Sequence, residues 1–121
     1  MKSLRIYIAG PYTGSSSKEI ERNVFNAIDA GIEIFRKGHY PYVPHLTHFI
    51  KSRAEETGKG LSWHDFIRWD MPWLEMCDAI LYLGMSRGAD HELEEAKHLG
   101  KLIFYSIEEI PDLRDVEERD E

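Results

Sequence analysis

Residues 79–105 read AILYLGMSRGADHELEEAKHLGKLIFY. Two apolar runs, Ala79–Leu83 and Leu102–Tyr105, flank a helical pattern over Ala89–Leu99 that Gly100 stops. Both runs are apolar on both faces, as parallel strands covered from two sides are. A strand, a helix and a second strand in this order make a parallel crossover unit. Within the helix, Glu92 falls on the stripe of Ala89, Ala96 and Leu99, which should face the sheet. A carboxylate there is out of place unless it has work to do.

Two more strands are expected upstream, Leu4–Ala9 and Tyr40–Val43. Between them, Lys18–Lys37 places Ile20, Val24, Ala27, Ile28, Ile34 and Phe35 near one stripe, and Gly38 ends it. The segment from Pro44 to Asp78 has room for two helices, Leu46–Glu56 and Ser62–Cys77, with TGKG (residues 57–60) as the loop between them. Ser62 with Asp65 forms a variant capping box. Pro72 should start a new turn or kink its helix, with Asp70 as a cap. Strands alternating with helices predict an α/β fold: one Rossmann-like (flavodoxin-like) doubly wound parallel sheet of four to five strands, with helices on both faces. The expected division is a domain over residues 1–106 and an acidic tail over 107–121, whose last residues should fray.

Composition narrows the function. A chain of 121 residues with 42% hydrophobic residues fits one domain with an ordinary core. A net charge of −7 argues against a general nucleic-acid binder, because a phosphate backbone needs a basic surface. It leaves room for a small phosphorylated ligand. The single cysteine, Cys77, excludes an internal disulfide framework and points to a cytoplasmic setting. The opening apolar run LRIYIA (residues 4–9) is too short for a signal peptide or a membrane span, so no membrane partner is expected.

Ligands of open parallel sheets bind beyond the carboxyl ends of the strands. Three loops should meet there: GPYTGSSS (10–17), PHLTH (44–48) and GMSRGAD (84–90). The first offers Gly10 for close backbone approach, and serines at a helix start. It is neither a Walker loop nor a dinucleotide fingerprint, and a turn with capping serines explains it equally well. Ser86 and Gly88 open the last helix, where an anion or a plain cap fits. Glu92 lies near the strand's carboxyl end. The helix dipole there favours its ionised form, and burial opposes it. His45 and His48, spaced i, i+3, and the pair His64–Asp65 invite a metal reading, but no HExxH motif or cysteine cluster accompanies them. No metal or other cofactor is expected. Trp63, Trp69 and Trp73, at helical spacing, read as core rather than as base-stacking platforms.

Four segments together, RIYIAGPY (5–12), GHYPYVPH (38–45), WDMPWLEMCDAILYL (69–83) and SRGADHELEEAKHLGK (86–101), resemble the nucleoside 2-deoxyribosyltransferase superfamily, which includes the 2′-deoxynucleoside 5′-phosphate N-hydrolases. The likeness runs in order over residues 4–105, and its last motif is the most specific. The resemblance implies an enzyme that cleaves the N-glycosidic bond of a (deoxy)nucleoside or its 5′-monophosphate through a glutamyl-sugar intermediate, with no cofactor. It implies Glu92 as the nucleophile, Asp70 as an orienting acid and Tyr7 in contact with the nucleophile. Gly10, Tyr12, Ser86, Gly88 and His45 are expected around the substrate. Ser86 stands where the transferases of the family carry an acid and the phosphate-preferring hydrolases a serine. The first loop lacks the hydrolases' arginine, a role that could fall to Arg87, Lys18 or Arg22. Family members share sites across a two-fold axis, and three tryptophans in so short a stretch exceed what one small core hides, so a homodimer or larger oligomer is expected. Two other readings stay open: a nucleotide-binding sensor or partner module without catalysis, and a metal-dependent hydrolase using His45, His48 and His64.

Overall fold

The computed structural model describes residues 2–114. Four strands form one all-parallel sheet: β1 (Arg5–Ala9), β2 (Tyr40–Tyr42), β3 (Ala79–Tyr82) and β4 (Leu102–Phe104), in the order β2-β1-β3-β4. The helices are α1 (Ser17–Arg36), α2 (Thr47–Glu56), α3 (Trp63–Met76) and α4 (Arg87–His98). The fold is thus the expected Rossmann-like α/β sheet covered on both faces. Short 3-10 turns at Pro44–Leu46 and Ile107–Glu109 complete it.

The alternation of strand side chains divides the core. Ile6 and Ile8 of β1, with Ala79 and Leu81 of β3, pack against Ala27, Ala30 and Ile34 of α1. On the other face Tyr7, Ala9 and Ile80 meet Leu74 of α3 and Ala89 and Ala96 of α4. From β1 the chain crosses one way to β2, and later returns to place β3 on β1's other side. The strand order reverses there, so a crevice opens at the carboxyl ends of β1 and β3.

Several local expectations need correction. Phe35 and Leu99 lie outside their stripes and are exposed: Phe35 sits beside the buried line of Val24, Ala27 and Ile34 with its ring edge-on to Tyr40, and Leu99 is the cap of its helix. The three tryptophans are not core: Trp63, Trp69 and Trp73 are 39%, 45% and 49% exposed. Pro72 does not break α3, which runs through it, and Asp70 is buried inside that helix rather than capping one. Burying Leu74 and Cys77 against the sheet contributes about 2 kcal/mol per large side chain, comparable with the cost of one internal proline. The Ser62–Asp65 capping box is present in both directions.

The segment assigned to the tail begins within the core. Ile110 is fully buried among the α1-face residues, and Leu113 is buried too. The Lys37 ammonium donates to the carbonyls of Ile107 and Ile110 at 2.6 and 3.0 Å. Buried His39 accepts from the Leu4 amide on Nδ1 and donates from Nε2 to the Pro111 carbonyl at 2.7 Å, joining the two ends of the domain. Gly38, with φ of 98°, makes the turn that puts Lys37 and His39 in place, a conformation costly for any residue with a Cβ. The frayed end expected for the last residues lies outside the described residues. Among the described residues no helix is long and apolar enough to cross a membrane.

Candidate active site

A cavity of about 390 Å³ opens at the switch point. Gly10 and Tyr12 from the β1 loop, His45 from the β2 loop and Asp70 from α3 line it. Ser86, Gly88 and Glu92, from the start of α4, close the other side. The one expected site residue that does not line the cavity is Tyr7, whose buried hydroxyl donates to Glu92 Oε2 from below.

Glu92 belongs to the second turn of α4, which begins at Arg87. The dipole acts mostly on the first turn, so burial prevails. It pushes the Glu92 carboxyl up to about 8, the Tyr7 hydrogen bond pulls against this, and the charge of Asp70 adds to it. Asp70 is pushed up to about 7 by burial, opposed by the Tyr42 hydroxyl, which donates to its Oδ1 at 3.2 Å. Tyr7 is held far above the usual phenol range by burial and by Glu92. Near neutral pH the floor of the cavity therefore holds two carboxyl groups that resist ionising together.

Ser86 caps α4, its Oγ accepting from the Ala89 amide at 3.0 Å, while its residue still faces the cavity. The capping reading is thus correct without emptying the site, since the hydroxyl keeps its proton to donate. His45 is buried and its ring is kept neutral by burial. Its Nε2–H donates to the Gly10 carbonyl at 3.0 Å, which leaves Nδ1 as an acceptor without a partner among the described residues.

Sequence reasoning placed four residues of this site differently or not at all: it took His48 only as a metal ligand and Trp63 as core, and gave Lys51 and Tyr42 no role. His48 lies 2.7 Å from the Tyr12 hydroxyl, tying α2 to the β1 loop. Lys51, one turn further along α2, lines the same wall. Trp63 faces the cavity and carries the Arg87 guanidinium 4.2 Å above its ring. Tyr42 is the fourth. The i, i+3 spacing of His45 and His48 was a visible signal, but the two rings bond to different loop atoms. Among the described residues no three His, Cys, Asp or Glu side chains gather as metal ligands. Of the cations considered for the missing loop arginine, Arg87 reaches the cavity wall, and Lys18 and Arg22 are not part of it.

Residues 4–106 match a family model described as a domain of unknown function, DUF7768. No curated protein matches the chain.

Proposed function

We propose that this chain, which belongs to the DUF7768 family, cleaves the N-glycosidic bond of a (deoxy)nucleoside or its 5′-monophosphate, as an N-hydrolase or a deoxyribosyltransferase. The observation that carries this reading is Glu92: a carboxyl buried at the foot of an open cavity, held by Tyr7, with Asp70 in the same wall. Nothing in the packing of α4 needs a carboxyl at that place, and burying one is costly.

In the reaction, ionised Glu92 attacks C1′ on the face opposite the base, through an oxocarbenium-like transition state. The C1′–N bond breaks as the glycosyl ester forms, and the leaving base takes a proton from Asp70 or from water. Water, or a second base, then displaces Glu92 with overall retention. A 5′-phosphate would meet the Ser86 hydroxyl, the free amides that open α4, and the ammonium and guanidinium of Lys51 and Arg87. Those two cations offset the acidity of the chain as a whole and take the place of a loop arginine.

A specific observation favours the second reading, binding without cleavage. A carboxyl raised to about 8 is mostly protonated at neutral pH, and a neutral Glu92 is a hydrogen-bond donor rather than a nucleophile. A panel of nucleosides and monophosphates, with free base measured by chromatography, separates the two. We expect base release by the wild type, greater for a monophosphate than for its nucleoside. Loss in Glu92→Ala should be at least about a thousandfold, with little loss in Glu94→Ala. Ligand binding with no base released under any condition would establish the binding module instead.

We also propose a homodimer. On α3, Trp69, Trp73 and Met76 make one outward stripe, each about half exposed, and a stripe of this kind is unusual on a monomer.

A further inference from the structure

The register of the sheet sets Tyr7 of β1 directly opposite Tyr42 of β2. Their rings stack, with centroids 5.4 Å apart and planes 28° from parallel. Tyr7 donates to Glu92, and Tyr42 donates to Asp70. Each carboxyl of the cavity floor therefore has its own phenol, and the two phenols share one stacked pair. Tyr42 is further clamped from outside by Trp73, whose ring lies 5.7 Å away and 14° from parallel.

We infer that Tyr42 is a positioning residue matched to Tyr7, and that the two phenols together decide which of Glu92 and Asp70 holds the negative charge when only one of them is ionised. The inference rests on the proposed cleavage only for its consequence, since the nucleophile must be ionised while the other carboxyl keeps its proton. The geometry itself stands apart from it.

The physical reason is the low polarity of the floor. Two buried carboxylates repel, so the first charge to form suppresses the second. A phenol O–H stabilises the anion it touches and gives far less to the neutral acid. Each phenol pulls the charge towards its own carboxyl; with Glu92 held at about 8 and Asp70 at about 7, the first charge in the ligand-free protein falls on Asp70, and the Tyr7 bond works against that order. The other groups facing this pair do not compete for it. Cys77, beside Tyr42, is pushed up to about 11 by burial and stays a thiol. His45 on the cavity wall is kept neutral by burial. Lys51 and Arg87 line the same cavity, and neither is among the charges that shift Glu92 or Asp70.

The test reads the carboxyl groups directly, by carbon-13 NMR titration of the full, ligand-free chain. Tyr42→Phe keeps the ring stack and removes one donor. We expect it to move the Asp70 titration up by about one pH unit, the worth of one hydrogen bond to a buried anion, and to leave that of Glu92 in place or lower. Tyr7→Phe should do the reverse, raising Glu92 and not Asp70. In an Asp70→Asn background, Glu92 should titrate lower than in the wild type, and adding Tyr42→Phe should no longer affect it. An Asp70 titration unmoved by Tyr42→Phe, or a rise in Glu92 equal to that caused by Tyr7→Phe, would overturn the inference. The spectra need no substrate. A wild type that releases no base refutes the glycosidase reading alone, while the titrations still decide the role of Tyr42.

Discussion

At Glu92 the cost of burial falls on the carboxyl group on which the proposed chemistry would depend. An unfolded chain loses the proton of this carboxyl near 4.5, and the folded protein holds it to about 8. Below pH 4.5 both states are protonated and burial costs little. Between these values the unfolded chain binds fewer protons than the folded one, so stability falls as pH rises. Above about 8 the full penalty is in place, on the order of a few kcal/mol. Asp70 adds to the fall in the same direction, from 3.8 to about 7. Glu92→Gln removes the larger part of this dependence and keeps an amide within reach of Tyr7. We therefore expect Glu92→Gln to melt close to the wild type at pH 5 and higher than it at pH 8, by about 5 °C or more. Parallel melting curves across that range would show that Glu92 is not the strained group. The same residue was visible in the sequence as a carboxylate on a sheet-facing stripe. Its protonation was not visible, because it depends on how deeply the other elements enclose it.

Among the elements, α1 shows how tightly the β2 side of the sheet is packed. A Cβ at Gly31 would lie 2.8 Å from Cγ2 of Val43 and 3.5 Å from Cδ1 of Ile8. Val43 is β-branched and cannot swing away without leaving its rotamer. Alanine is the better helix former by about 1 kcal/mol, and overpacking costs about 1–3 kcal/mol. Overpacking should win, so Gly31→Ala is expected to lose about 1 kcal/mol in urea unfolding, with the slope of the transition unchanged. In a Val43→Ala background the same substitution should be neutral or stabilising, which a double-mutant cycle reads directly. This close approach matters to the site, since β2 presents Tyr42 and leads into His45. Periodicity announced α1 and α4 within a residue or two at most of their ends. The expected helix over Ser62–Cys77 already ran through Pro72, and α3 does continue past it, held by Leu74 and Cys77 meeting a sheet built elsewhere in the chain. For α2 the signal was weak, as none of its residues is buried.

For the whole molecule, the exposed stripe of Trp69, Trp73 and Met76 leads to an expectation about assembly. A surface this apolar on a chain of net charge −7 should be covered by a second copy rather than by an anionic polymer. Light scattering at micromolar protein should give at least twice the chain mass, and Trp73→Glu should halve it. A fully active monomer would refute both the dimer and any sharing of the site between copies. The chain taken alone determined the parallel α/β architecture and the loops that form the rim, and it singled out Glu92 and Ser86, since apolar periodicity and short motifs are properties of neighbours in sequence. Asp70 and Tyr7 as site residues came instead from the resemblance of four segments to the nucleoside 2-deoxyribosyltransferase superfamily. Only the tertiary structure decided that Tyr42 stands opposite Tyr7 and bonds to Asp70, that Lys51 lines the cavity and Arg87 does so where Lys18 and Arg22 do not, and that Ile107, Ile110 and Leu113 pack into the core. Strand register and burial are set by segments tens of residues apart, and no local pattern encodes which of two stacked phenols a carboxyl will meet.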